Sequence, residues 1–201
     1  KGESNFYKIP PHGDFMKYSI LAETYGALEA TPKKLEKADI LADLYKKSKE
    51  DLAIVVRLSQ GLEKIDLGLA REMMRRIIAR TYGASEAEVL RKFKETGDLG
   101  SSAEQFAKHR RQVTLARKEL TAQHVYDNLL KLPHITGQGS QERKIALVSE
   151  LLSNASALEA RYIVRTVLGD MRIGVAAGIV RDAIAKAFAK SAQEIERAHD
   201  F

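Results

Sequence analysis

Residues 67–89 read LGLAREMMRRIIARTYGASEAEV, and residues 173–195 read IGVAAGIVRDAIAKAFAKSAQEI. Laid on one another at an offset of 106, Gly68 meets Gly174, Arg75 meets Arg181, Ile78-Ala79 meets Ile184-Ala185, and Tyr82 meets Phe188. Ser85 then meets Ser191, Glu88 meets Glu194 and Val89 meets Ile195. Upstream, at an offset of 108, Leu44 falls on Leu152, Val56-Arg57 on Val164-Arg165 and Gly61 on Gly169. Amphipathic helices always look somewhat alike, but glycines and caps rarely keep register by accident. The chain therefore reads as an internal duplication, with copies roughly at 33–89 and 141–195. The expected fold is all-α: about nine to ten or more short helices, typically three turns each, in two pseudo-symmetric lobes.

The punctuation outside these segments agrees. Ser-x-x-Glu/Gln start signals stand at Ser85/Glu88, Ser102/Gln105, Ser156/Glu159 and Ser191/Glu194. Thr31-Pro32 reads as a cap threonine with proline in the first helical position. Gly83, Gly97 and Gly169 sit where helices should stop. Leu69, Met73, Ile77 and Ile78 define one apolar face, and Leu35, Ala38, Leu41, Leu44 and Tyr45 another. No run alternates long enough for a strand, and no Asn-Gly or Asp-Gly turn occurs. Residues 1–15, KGESNFYKIPPHGDF, lack helical period and read as a flexible arm or an appended remnant; the folded domain is expected over 16–201.

Composition narrows the function. The chain has 201 residues, 33 Lys+Arg against 27 Asp+Glu, a net charge of +6, 44% hydrophobic and 30% charged residues. That mix can bury a real core. No window approaches the ~20 apolar residues of a membrane span. Cysteine is absent, which excludes disulfides, thiolate metal sites and a cysteine nucleophile. Tryptophan is absent and only 6% of residues are aromatic, against the base-stacking modules of RNA readers. A pI near 9.4 leans toward a polyanionic partner.

Catalytic motifs are missing. No phosphate-binding G-x-x-x-x-G-K-[ST] loop, G-x-S-x-G or H-E-x-x-H occurs, and the five histidines show no metal-ligand spacing. Three glycine-marked helix starts remain: Thr96–Ser102 with Gly97 and Gly100, Thr136–Gln141 with Gly137, Gly139 and Ser140, and Arg172–Ala176 with Gly174 and Val175. Small residues admit a phosphate close to the backbone, and first-turn N–H groups with the helix dipole favour an anion. Plain helix punctuation explains any one of them. Three beside basic residues, including Arg143 and Lys144, make phosphate contact a comparable reading. The densest basic run holds Lys108, Arg110, Arg111, Arg117 and Lys118, and Arg71, Arg75, Arg76 and Arg80 line a second helix. Such groups contact backbone and fix position rather than sequence.

The segments MKYSILAETYGALEAT, KETGDLGSSAEQ, ITGQGSQERK, LEARYIVRTVLGDMRIGVAAGIVRDAIAKAF and the closing HDF resemble the N-terminal DNA-binding domain of archaeal and eukaryotic ATP-dependent DNA ligases, the archaeal ones most. The match runs in order over roughly Met16 to Phe201. The resemblance implies an all-helical, internally duplicated domain that lies on the minor-groove side of nicked duplex DNA, holding both backbones without sequence preference. In the family it closes a ring with the adenylation and oligonucleotide-binding domains during replication, repair and recombination. Position by position, DNA contacts would fall near Gly68, Gly137, Gly139, Ser140, Arg172, Gly174 and Ala176. The wider expected contact set adds Gly97, Gly100, Lys108, Arg110, Arg111, Thr136, Gln141, Lys144 and Val175.

The family's active lysine lies in Lys-x-Asp-Gly, and this chain has no Asp-Gly. ATP, magnesium and strand joining are thus expected of other domains of a parent enzyme, with no cofactor and no catalytic or metal-binding residue in this stretch. Where the family often meets the sliding clamp through an aromatic-bearing segment, this chain reads Gln112-Val113-Thr114-Leu115-Ala116-Arg117, which weighs against that contact. A monomer in the cytoplasm, associated with the nucleoid, is expected. The alternative is a helical-repeat module whose basic surface meets an acidic protein, since stacked helices serve both ends.

Overall fold

Ser85 and Ser156 each accept the N–H of the glutamate three residues on, while Glu88 and Glu159 accept the serine's own N–H. These reciprocal boxes start two of ten α-helices found among the described residues, which are 15–62, 65–109 and 118–189 of a computed structural model. In chain order they are α1 (Tyr18–Ala30), α2 (Lys34–Ser48), α3 (Leu52–Ser59), α4 (Arg71–Tyr82), α5 (Glu86–Thr96), α6 (Leu99–Lys108), α7 (Ala122–Lys131), α8 (Ser140–Asn154), α9 (Ala157–Val167) and α10 (Ala177–Phe188). The domain is all-helical; its one extended pairing among the described residues is an isolated antiparallel bridge between Lys17 and Thr121. Gly83 and Gly97 end α4 and α5 in the left-handed conformation, where a missing Cβ removes the steric penalty.

Three local expectations shift. Thr31 does not cap α2: its hydroxyl accepts the Lys33 N–H and donates to Glu36, and the helix opens two residues later than Pro32 suggested. Ser102 lies inside α6 and is fully buried; the cap is Asp98, because its carboxylate reaches two first-turn N–H groups at once. Leu35 is 74% exposed and does not belong to the buried face of α2. The Ser191/Glu194 signal and the 1–14 arm lie outside the described residues.

Packing is crossed between the two halves. α2 lies along α10, and α4 lies along α8. α2 and α8 both run fifteen residues, and α4 and α10 both run twelve. Buried positions of α2 recur in α8 at 107 residues on: Ala38 and Ile145, Leu41 and Val148, Leu44 and Leu151, Tyr45 and Leu152. Leu44 thus corresponds to Leu151 rather than Leu152. The shared core holds Tyr18, Tyr25, Tyr45 and Tyr162 with no exposed surface, and Tyr25 meets Tyr162 edge to face at 5.3 Å. Met74, Ile77 and Ile78 of α4 are fully buried, and each such side chain contributes about 1.5–3 kcal/mol.

One ionic cluster joins α1, α6 and α9. Arg165, 3% exposed, donates to both Glu29 oxygens at 2.7 and 3.0 Å and to Asp98 Oδ2 at 2.7 and 3.0 Å. Burial alone would raise the Asp98 carboxyl; bonds from Arg165, Ser101 and Gly100 outweigh it and bring it down to about 2. Burial likewise opposes the ionised form of Glu29, and Arg165 and Tyr162 prevail, lowering it.

Candidate nucleic-acid interface

Helix starts in this protein fall into two kinds. α5, α6, α7 and α9 are closed by Ser85, Asp98, Thr121 and Ser156, whose side chains occupy first-turn N–H groups. The other six have no side-chain cap bond; of these, α4, α8 and α10 follow a glycine turn, and Ala70, Gly139 and Ala176 just before them are exposed. Open first-turn donors and a positive dipole end suit an anion.

The turns before α4 and α10 share a construction. Gly68 and Gly174 each stand three residues ahead of their helix, at φ +63° and +61°. Lys144, from α8, donates to the Gly68 carbonyl at 3.2 Å. Lys37, from α2, donates to the carbonyls of Ile173 and Gly174. A Cβ at Gly68 would stand 2.6 Å from the Lys144 amine, and one at Gly174 2.5 Å from the Lys37 amine. The halves also touch at Gly61, where a Cβ would lie 2.6 Å from Met171 Cγ. Between Ser59–Gly61 and Gly169–Ala176 lies an open concavity of about 420 Å³.

The turn before α8 is held from within the helix. Arg143 Nη1 donates to the Gln138 carbonyl at 2.9 Å and Nη2 to that of Thr136 at 2.7 Å. Gly137 and Gly139 have φ +81° and +72°, and Thr136, Gly137, Gly139 and Gln141 are exposed with Ser140 half-buried. The Ser140 N–H is already taken by the Gly137 carbonyl at 3.1 Å. Glu142 pairs with Arg80, in the last turn of α4, at 3.2 Å.

The third expected turn differs. Asp98 accepts the N–H groups of Gly100 and Ser101 at 2.9 and 3.0 Å, so they have no free donor to offer a phosphate. Gly100 is buried, and a Cβ there would stand 2.7 Å from both the Arg161 carbonyl and Arg165 Cγ. Close helix packing explains this glycine. Gly97 is exposed, and its carbonyl accepts from Arg172 Nη2 at 3.0 Å. Arg172, itself at φ +56°, also donates from Nε to Asp170 at 3.0 Å, so its guanidinium ties the two turns together while remaining 41% exposed. Lys108 pairs with Glu104 at 2.8 Å, and Glu104 is shared with Arg161. Val175 is half-buried and Ala176 exposed. Arg110, Arg111 and the Gln112–Arg117 stretch lie outside the described residues.

Sequence reasoning passed over Lys37 and left Arg143 as a basic neighbour. Their signal lay in the helical register: Lys144 is 107 residues beyond Lys37, the spacing of the buried faces of α2 and α8. Among the described residues, no group of His, Asp and Glu could hold a metal ion, and no helix is long and apolar enough to cross a membrane.

The fold and these turns define an all-helical domain with open helix starts on crossed halves. Comparison with known proteins is specific: a family model described as DNA ligase N terminus matches residues 17–185. The DNA ligase of Methanothermobacter thermautotrophicus is 40% identical over 188 residues, covering 90% of this chain and 34% of that protein. The DNA ligases of Thermococcus fumicolans and Nanoarchaeum equitans are each 38% identical, covering 92% of this chain and 34% and 33% of their own length. The chain belongs to the DNA ligase N-terminus family. It spans about a third of the length of the curated relatives it matches.

Proposed function

We propose that this chain is the duplex-gripping domain of an ATP-dependent DNA ligase, holding the phosphate backbones across the minor groove around a nick without reading sequence. The observation that carries the reading is the set of three open helix starts, α4, α8 and α10, beside glycine turns backed by Lys144, Arg143 and Lys37. Thr136, Gly137, Gly139, Gln141, Gly174, Val175 and Ala176 would meet phosphate oxygens through their backbone, Ser140 through its hydroxyl, and Gly68, whose N–H is held by Asp66, through the close approach that its missing side chain allows. Arg172 would turn from Asp170 toward a phosphate, giving up an exposed ion pair of small worth. Adenylation and oligonucleotide-binding domains of the parent would supply ATP, magnesium and strand joining. A monomer at the nucleoid fits the reading. The helical-repeat protein-binding alternative has no observation in its favour among the described residues.

A titration of nicked, intact and single-stranded DNA at several salt concentrations tests this. Neutralising about 4–8 phosphates predicts a log–log salt slope of roughly −4 to −7, with duplexes of different sequence bound alike. A slope near zero, or strong choice of one sequence at equal length, rejects the reading. The same protein incubated with labelled ATP and magnesium should retain no covalent label after denaturation.

A further inference from the structure

Lys37 is 7% exposed and Lys144 is half-buried, yet neither has a carboxylate within ion-pair distance among the described residues. Each amine instead meets backbone carbonyls in the turn of the opposite half, 136 and 76 residues away in the chain. A nearly buried ammonium ordinarily demands an anionic partner, because carbonyl dipoles offset only part of its lost hydration. Here each amine lies beside a place suited to one. Both amines stand against a glycine of positive φ that precedes a helix whose first turn has no side-chain cap. The glycines leave room for the amine itself: a Cβ at either position would stand within 2.6 Å of it. Independent cation placement would not repeat the same amine, glycine, carbonyl and open helix start in both halves.

We infer that Lys37 and Lys144 are a crossed pair of positioning residues, each reaching from its own half to hold the glycine turn of the other half in the shape that receives a duplex phosphate. Lys37 serves the Gly174 turn and α10; Lys144 serves the Gly68 turn and α4. The amine draws the turn's carbonyls inward and so presents the following N–H groups outward, and its charge sits beneath the phosphate they meet. The inference rests on the duplex reading above and adds that the two grips are set in trans. Neither half would then form a complete phosphate grip without the other.

The test uses the 201-residue chain with Lys37→Met and Lys144→Met, which keep the apolar stem and remove the amine. Each should weaken nicked-duplex binding about tenfold or more, as expected for loss of charge-assisted bonds. Amide hydrogen exchange without DNA should rise in residues 173–178 for Lys37→Met alone and in 68–73 for Lys144→Met alone. Double variants establish the crossing. Lys37→Met with Gly174→Ala should cost little more than the worse single change, whereas Lys37→Met with Gly68→Ala should cost the product of the two. Unchanged exchange in the opposite turn, or the reverse coupling pattern, overturns the inference. If the unaltered chain fails to bind duplex DNA, the functional reading falls and the exchange pattern still decides the positioning. Should Lys37→Met not fold, the half-buried Lys144 carries the same set of measurements.

Discussion

The turns that open α6 and α8 are built from similar material and end in opposite states. Each places two glycines within four residues of a helix start, Gly97 and Gly100 in one, Gly137 and Gly139 in the other. At α6 the residue after the first glycine is Asp98, which closes the first-turn donors and is itself clasped by Arg165 from α9. At α8 it is Gln138, which gives only its carbonyl to Arg143 and leaves the helix start without a side-chain cap. One short carboxylate decides whether a glycine turn closes onto the core or leaves its helix start open. Glycine therefore marks two different things here: close packing at Gly100 and backbone freedom at Gly139.

Replacing the deciding side chains should separate the two turns most. Asp98→Ala removes a cap and strips Arg165 of one buried carboxylate, so it should cost about 3–5 kcal/mol and lower the melting temperature by about 10 °C. Gln138→Ala should change stability by less than about 0.5 kcal/mol. Calorimetry of both variants checks this, and equal melting points would break the comparison.

The glycines should part next. Gly100→Ala drives a Cβ toward the Arg161 carbonyl and should destabilise by about 1–3 kcal/mol. Gly139→Ala strains a left-handed turn at the surface by about 1 kcal/mol and should show chiefly in weaker duplex binding. Urea midpoints set beside DNA titrations distinguish them; a binding defect confined to Gly100→Ala would invert the assignment.

The last of these effects is acid sensitivity. The folded Asp98 carboxyl is depressed to about 2, below the ordinary aspartate value, so its contribution is complete above pH ~4 and is lost as pH falls toward 2. That contribution is about 2 kcal/mol, and the stability gap between the wild-type chain and Asp98→Asn should narrow across the same window. A gap constant from pH 5 to pH 2 would mean that Asp98 holds α6 without its charge.

Much of the helical frame was legible because its rules are local. Spacing of three and four marked the buried faces, and serine followed by glutamate marked the starts of α5 and α9. The misplacements are also instructive. Ser102 satisfies the same pattern as Ser85, but a stronger acceptor four residues earlier starts the helix first. Leu35 satisfies the apolar period of α2, but it falls in the first turn, beyond the surface that α10 covers. The site was legible in its glycines and not in its partners. Arg165 meets Asp98 across 67 positions and Lys37 meets Ile173 across 136, and no local pattern announces such a meeting.

The crossed packing of α2 on α10 and α4 on α8 also bears on how this chain reaches its native state. During synthesis α2 leaves the ribosome long before α10, so its buried face waits for a partner more than a hundred residues behind it. Helical proteins with neighbouring contacts fold fast, whereas pairing over such separations pays loop closure before it is rewarded. Folding should accordingly be slow for an all-helical chain and concerted across both halves, with apolar helix faces exposed to aggregation until the last helix arrives. Cutting the chain between α6 and α7 should leave two pieces that are each incompletely folded and that regain helicity only when mixed.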